Sequence, residues 1–269
     1  MLENVYQPPN GGGSLPPIHE GGSSYNLDRT FALGWHGFRN NLGVGFGFAV
    51  IMPILLILAL VTCIGALAAV PHLAAAYSIF GLLMVRGKTE LGEMFRPFKS
   101  YGSILGAFLL VFTVTQLAVL IFSGPYYYLT FASVDWSTVM SLPDAERAEA
   151  IGKAMQGGPK GGAAVFANLF SFLSYPLSLY VAGRVLLIYP LIVERGLGTM
   201  DAIQKSLELT KPYQWHLMLL GLLAGLVAGA GILACCIGIF FSVPFSMALH
   251  GAAIYQLLGE DKGEPIPAS

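Results

Sequence analysis

The sequence predicts an all-α fold: a polytopic membrane helical bundle of six transmembrane helices, arranged as three surface-helix-plus-hairpin units. First, 55% of the residues are hydrophobic and only 11% are charged, whereas soluble domains carry about 25% charged residues. Second, residues 40–85 and 212–259 contain no Lys, Arg, Asp or Glu over 46 and 48 positions. Since one spanning helix needs about 20 apolar residues, each stretch holds two spans and a tight turn. Third, a short amphipathic segment precedes each odd-numbered span.

The chain divides into a tail, a membrane domain and a second tail. Residues 1–25 are rich in Pro and Gly and predict a disordered cytoplasmic tail. Residues 26–258 form the six-span domain, with an outer loop at 124–162, and residues 259–269 form a cytoplasmic tail. The predicted spans are 43–64, 68–86, 102–123, 164–188, 214–235 and 238–258.

The distribution of basic residues predicts the orientation. Eleven of the 14 Lys and Arg residues fall on the side of the two termini, and three fall in the 124–162 loop. Because cytoplasmic loops carry the excess of positive charge, both termini are predicted to be cytoplasmic.

Three amphipathic segments are predicted to lie at the cytoplasmic surface, each with an apolar stripe facing lipid or the bundle. The third runs from 199 to 211, and Pro212 is expected to end it. The predicted caps and stripes are Asn26 before Leu27, Phe31, Trp35 and Phe38; Thr89 before Leu91, Met94, Phe95 and Phe98; and Thr199 before Met200, Ile203 and Leu207.

Arg184 is a strong charge within a predicted span. It is expected near the cytoplasmic boundary, where it snorkels to lipid phosphate or forms a lipid or anion contact shared with Lys205 or Lys211. His250 lies in the sixth span. A neutral histidine bonded to a neighbouring helix is the favoured interpretation, and a proton relay is the alternative.

Glycines recur every fourth residue on span five, at Gly221, Gly225 and Gly229. Small residues at this spacing let helix backbones approach closely. We predict packing within the bundle, with dimerisation as the alternative.

Motifs for catalysis, cofactors or metals are not found in the sequence. The histidines lack HExxH spacing, the serines lack a GxSxG elbow, and the three cysteines form no CxxC pair. We therefore predict no catalytic, cofactor-binding or metal-binding residue. A net charge of −1 without a basic run predicts no nucleic-acid partner.

The stretch that joins spans four and five carries a distinctive pattern of seven positions: Pro190, Glu194, Gly196, Ala202, Ser206, Leu209 and Trp215. This pattern resembles a signature of bacterial six-span membrane proteins of unknown function, and it is similar to the membrane domain appended to some glycerophosphodiester phosphodiesterases. The resemblance implies a six-span fold in the bacterial inner membrane. It carries over no catalytic residue.

Three functions are compatible with these features. The first is a non-enzymatic integral membrane protein that organises lipid or docks to other membrane proteins. The second is a small-molecule transporter or permease, which buried polar residues converging at mid-membrane would favour. The third is a lipid-modifying enzyme, which a cytoplasmic cavity lined by Arg184 and a histidine or carboxylate would favour.

The topology can be tested with reporter fusions. Fusions after Gly87 and Ser269 are expected to report a cytoplasmic location, and a fusion at Gly157 is expected to be exported. A cytoplasmic signal at Gly157 would contradict the six-span topology.

Overall fold

The computed structural model describes residues 25–61, 63–156, 162–233 and 238–263, and these residues are helical without a β-strand. The α-helices are α1 (Leu27–Asn40), α2 (Leu42–Leu60), α3 (Cys63–Arg86), α4 (Tyr101–Ala132), α5 (Trp136–Ser141), α6 (Asp144–Gln156), α7 (Gly162–Phe172), α8 (Ser174–Arg184), α9 (Ile188–Arg195), α10 (Thr199–Thr210), α11 (Gln214–Leu233) and α12 (Ile239–Leu257). Two 3₁₀ segments, Leu91–Ser100 and Lys211–Tyr213, precede α4 and α11. The all-α membrane bundle is therefore confirmed.

Five helical stretches within the described residues are long and apolar enough to cross a membrane. They are Leu42–Ala59, Ala69–Arg86, Leu91–Ala132, Val165–Arg195 and Thr199–Gly231, which correspond to the first five predicted spans. The sixth predicted span is α12, which has 19 residues. Polar residues such as His250 and Gln256 lower the mean hydropathy of this helix.

The chain forms two compact units. The first unit comprises residues 1–110 and 182–269, and its described part contains α1–α3 and α9–α12. The second comprises residues 111–181 and contains α5–α7. The boundaries fall within α4 and α8.

Helix α12 is the buried centre of the first unit, because α1, α2, α3 and α11 all pack against it. Its closest approach is to α3. A Cβ atom added to Gly81 would lie 2.2 Å from the carbonyl oxygen of Met247, and one added to Gly251 would lie 2.0 Å from the backbone of Gly81. The two backbones are thus in direct contact, which only glycine permits. Beside this contact, the Phe48 and Phe80 rings pack with centroids 4.4 Å apart.

Helix α1 packs inward through small residues together with one residue of its predicted apolar stripe. Thr30, Gly34 and Gly37 are buried, and Gly34 and Gly37 lie against α12 and α3. From the stripe, Phe38 is also buried, whereas Trp35 is half-exposed.

Helix α10 also packs inward through small residues. Its buried residues are Ala202, Ser206 and Thr210, whereas Met200 is 64% exposed and Leu207 is also exposed. The apolar stripe therefore faces outward, and the small face packs inward. In the Leu91–Ser100 segment, Met94 is buried while Leu91, Phe95 and Phe98 are exposed.

The predicted caps are only partly correct. Asn26 caps α1, since its Oδ1 accepts a hydrogen bond of 3.0 Å from the Arg29 N–H. The N-cap of α10 is Gly198 instead of Thr199, whose hydroxyl donates to the Ser103 carbonyl at 3.0 Å. Glu90 occupies the cap position of the Leu91–Ser100 segment, where Thr89 was expected. The expected end of this helix before Pro212 is confirmed, since α10 ends at Thr210 and Pro212 lies in the Lys211–Tyr213 turn that precedes α11.

Both predicted tails contact the membrane domain at their inner ends. Residues 1–24 lie outside the described part of the chain, but Tyr25 is buried and its ring contacts Tyr213 and His216. In the C-terminal tail, residues 259–263 are described, and Glu260 and Asp261 form ion pairs.

The second unit is helical where an outer loop was expected. Helix α4 continues past Pro125 to Ala132, and α5 and α6 occupy most of the remainder. Asp135 caps α5, and its bonds to the Ser137 and Thr138 hydroxyl and N–H groups lower its pKa to about 2. Glu149 and Lys153, one turn apart on α6, form an exposed ion pair at 2.7 Å.

The α3–α12 contact can be tested with alanine substitutions. Gly81→Ala and Gly251→Ala are expected to destabilise the folded protein by about 1–3 kcal/mol or more, because overpacking forces the helices apart. Gly225→Ala is the matched control, since a Cβ atom there meets nothing within 4 Å. Thermal unfolding of the full chain in detergent measures the effect. Equal melting temperatures for all three variants would contradict the close contact.

Candidate functional site

Three helices of the first unit end at a glycine in the left-handed conformation, and charged residues flank each glycine. Gly87 follows α3, Gly196 follows α9 and Gly259 follows α12, with φ of 65°, 65° and 74°. At two of these ends the next residue donates its N–H to the carbonyl five positions earlier: Lys88 to Leu83 and Glu260 to Tyr255, both at 3.1 Å. These closures are Schellman motifs, which turn the chain sharply after the helix.

The turns bring Arg86 between two carboxylates. Its Nε and Nη2 groups donate to the two oxygens of Glu260 at 2.9 and 2.6 Å. Its Nη1 donates to Oε2 of Glu194 at 2.9 Å. The Arg86 side chain is 13% exposed, so its charge is largely removed from water and depends on these partners.

Glu194 in turn connects Arg86 to Arg96. Its carboxylate is 4% exposed, and its Oε1 lies 2.8 Å from Nη1 of Arg96. This contact is a close ion pair, without the alignment of a hydrogen bond. Arg96 also lies 3.5 Å from the Glu93 carboxylate within the same 3₁₀ segment. We call Arg86, Arg96, Glu194 and Glu260 the charged cluster.

An open cleft of about 480 Å³ lies over the charged cluster. Its lining residues are Leu83, Arg86, Lys88, Arg96, Glu194, Tyr255 and Glu260. Three cations and two carboxylates therefore face the cleft, which gives it a net positive charge. Lys88 is exposed, and its ammonium has no carboxylate partner among the described residues.

A second set of polar contacts fastens the residues after α12 to the start of α1. Arg29 binds Asp261 through two hydrogen bonds, one of them 2.6 Å from Nη2 to Oδ1. These bonds hold the pKa of Asp261 below its ordinary value and raise the pKa of Arg29. The buried Gln256 side chain accepts from the Asn26 N–H at 2.8 Å and donates to the Thr30 hydroxyl at 3.0 Å.

Of the predicted lipid contacts, the structure places Arg184 against α10. Its Nη1 donates to the Thr210 hydroxyl at 3.1 Å, and its carbonyl accepts from the Ser206 hydroxyl at 2.8 Å. Because α8 ends at Arg184, that carbonyl has no partner within its own helix. Lys205 pairs with Glu208 at 3.1 Å, and Lys211 is exposed. Arg184 thus joins two helices and does not line the charged cleft; its lipid contact stays a prediction.

The predicted packing role of the span-five glycines stays a prediction, and two of the three have no close neighbour among the described residues. Added Cβ atoms at Gly225 and Gly229 would meet nothing within 4 Å, and Gly225 is exposed. Gly221 is half-buried. The closest backbone approach is between Gly81 and Gly251, and on α11 the close approach is at Gly231, which is buried against Ser242 of α12.

His250 belongs to a small polar cluster between α3 and α12. Its Nδ1–H donates to the Ser246 carbonyl at 2.8 Å, within its own helix and not to a neighbouring one as expected. Tyr77 of α3 donates to the Ser246 hydroxyl at 3.0 Å, and its ring meets the His250 ring edge-on.

The charged cluster was not predicted from the sequence. Arg86 and Arg96 were counted only for orientation, Glu194 only as part of the signature, and Glu260 only as tail. A usable signal was present, since each of Arg86, Glu194 and Glu260 stands within two residues of a glycine that ends an apolar stretch. Among the described residues, no group of three His, Cys, Asp or Glu side chains could hold a metal ion.

Comparison of the chain with protein-family models, curated proteins and solved structures finds no match. The fold and the charged cluster therefore define the class, a helical multi-pass membrane protein with a charged cleft at one end of its first unit. The resemblance to the membrane domain of some glycerophosphodiester phosphodiesterases stays a prediction.

Removal of Arg86 tests the cluster. Arg86→Ala is expected to lower the free energy of unfolding by about 3–5 kcal/mol, because it leaves two carboxylates without their shared cation. Titration of the purified protein with SDS measures this change. The control is Lys153→Ala, whose exposed partner is Glu149 and whose loss is expected to change stability by less than about 0.5 kcal/mol. Similar effects for both variants would show that the Arg86 cluster is not structural.

Proposed function

We propose that this chain is a non-enzymatic integral membrane protein that organises lipid at the headgroup layer, or docks there to other membrane proteins. In this proposal it resides in the bacterial inner membrane with both termini cytoplasmic, as the signature and the distribution of basic residues suggest. Its partners are membrane lipids and possible protein neighbours.

The observation that carries the proposal is the outward placement of bulky apolar side chains beside cations. On the Leu91–Ser100 segment, Phe95 and Phe98 are exposed, and Arg96 and Lys99 lie between and beyond them. On α10, Met200 points outward in the same manner. Such segments bind in the plane of the headgroups, where apolar side chains enter the acyl boundary and each cation gains about 1 kcal/mol from anionic lipid.

Extraction of the full chain with its surrounding lipid, in polymer-bounded nanodiscs, tests this function. Anionic phospholipid is expected to be enriched severalfold over the bulk membrane, and the Phe95→Ser, Met200→Ser double variant is expected to lose most of that enrichment. Leu226→Ser is the matched control, because Leu226 is similarly exposed but lies in the middle of α11, outside the Leu91–Ser100 segment and α10. A lipid composition equal to the bulk membrane for the parent protein would exclude lipid organisation.

A small-molecule transporter is the second candidate, and the Tyr77–Ser246–His250 cluster favours it. These residues lie near the middle of α3 and α12, where ionisable side chains usually mark a transport path. In proteoliposomes loaded with a pH-sensitive dye, a transporter using His250 as a proton carrier would move protons under an imposed potential. His250→Gln would then stop that movement. Parent protein that moves no protons would remove this role for His250.

A lipid-modifying enzyme is supported least. The charged cleft contains the carboxylates of Glu194 and Glu260, but both are bound to arginine side chains. Arg184, which was expected to line such a cavity, contacts Thr210 instead.

A further inference from the structure

We propose that the charged cleft binds the phosphate group of a lipid headgroup, with Arg96 and Lys88 as the contacting residues and Glu194 as the residue that positions Arg96. This inference rests on the proposed lipid-organising function and assigns it a specific site. The site differs from the Arg184, Lys205 and Lys211 contacts that the sequence suggested.

The cationic side chains around the cleft differ in how many of their donor groups are already bound to carboxylates. Arg86 gives three of its donor groups to Glu194 and Glu260, so its charge is already matched. Arg96 is engaged through Nη1 alone: its Nε and Nη2 groups donate no hydrogen bond to any described residue. Lys88 likewise keeps its ammonium free of carboxylates within the described chain. Arg96 and Lys88 can therefore donate hydrogen bonds to an anion that enters the cleft.

Glu194 prepares Arg96 for such a ligand. The buried carboxylate holds one nitrogen of the guanidinium at 2.8 Å while 38% of the Arg96 side chain remains exposed. A guanidinium fixed at one nitrogen presents its remaining N–H groups in a rigid plane, which suits the bidentate geometry of phosphate oxygens. Lys88 supplies a second positive charge from the turn after α3. Its position is set by the Gly87 turn and by its N–H bond to Leu83.

The surroundings indicate that the phosphate belongs to a lipid. Arg96 follows the exposed Phe95 on the same 3₁₀ segment, and Leu91 on that segment is also exposed. The apolar side chain of Leu83 contributes to the lining. The cleft is open, and its volume of about 480 Å³ lies within the range of small-ligand sites. A headgroup phosphate fits this combination, because its acyl chains can lie along the apolar side chains while the phosphate meets the cations.

Native mass spectrometry of the full chain in detergent tests the site, with phosphatidic acid, diacylglycerol and inorganic phosphate as separate probes. Phosphatidic acid is expected to bind with one saturable stoichiometric step. Lys88→Ala and Arg96→Ala are each expected to weaken it about fivefold, as loss of one lipid-facing cation implies. Lys153→Ala is the control, because Lys153 is an exposed cation of α6 that lines neither the cleft nor the surface segments assigned to lipid. Its affinity is expected to equal that of the parent.

Glu194→Gln separates positioning from folding. Glu194→Gln is expected to weaken phosphatidic acid binding, because it removes the carboxylate that positions Arg96. Arg96→Lys keeps the charge but loses the planar donors, so its affinity for phosphatidic acid is also expected to be lower than that of the parent. The melting temperature of the lipid-free protein, measured alongside, identifies any variant that is merely unfolded.

The outcomes discriminate the two proposals. Equal binding of diacylglycerol, or undiminished binding by both Lys88→Ala and Arg96→Ala, would overturn the site. Inorganic phosphate binding as tightly as phosphatidic acid would overturn the lipid assignment. If the site fails in this way while nanodiscs still enrich anionic lipid, the lipid-organising function stands without it; if the enrichment is also absent, both fail.

Discussion

The guanidinium of Arg86 is the group on which the first unit depends most. It joins the end of α3 to Glu194 at the end of α9 and to Glu260 beyond α12, three segments that are far apart in sequence. Burial of an ion pair costs several kcal/mol for each ion unless the geometry is excellent. Arg86 meets that condition because two of its groups bind Glu260 in parallel and a third binds Glu194. The same carboxylate then fixes Arg96, so one buried cation determines where the cleft residues lie.

Packing in the rest of the first unit follows from the absence of a hydrophobic force between helices in lipid. Association there relies on close van der Waals contact and on interhelical hydrogen bonds, which favour small residues at the interfaces. The α3–α12 contact at Gly81 and Gly251 is the tightest example. Helix α10 adds hydrogen bonds, because Ser206 binds the carbonyl of Arg184. Bulky side chains such as Trp35 and Met200 remain outside these interfaces, where acyl chains can surround them.

The sequence was sufficient for the helical membrane class, because charge-free stretches of more than 40 residues have few other structural solutions. The sequence also predicted the positions of five spanning stretches and the N-cap at Asn26. The sequence left open which face of α10 packs inward, since the periodicity of Met200, Ile203 and Leu207 shows that a stripe exists but not which side of it is lipid. That choice depends on neighbouring helices.

The charged cluster could not be derived from spacing, because its members are brought together by three turns and separated by up to 174 positions. Periodicity reports on one helix at a time. A pairing between Arg86 and Glu260 depends on how α3 and α12 cross, which Gly81 and Gly251 determine. The glycine after each helix indicates that the chain turns, but only the packed structure shows that the turns meet.

Hydrogen exchange of the full chain in lipid nanodiscs tests most directly whether the cluster closes this end of the first unit. The amide of Glu260 donates to the Tyr255 carbonyl, and its side chain is bound by Arg86, so the segment after α12 is fixed at both backbone and side chain. We expect peptides covering residues 256–261 to exchange as slowly as the adjoining turns of α12. Exchange of Gly259, Glu260 and Asp261 at the rate of an unstructured peptide would contradict the closure of this end by Arg86.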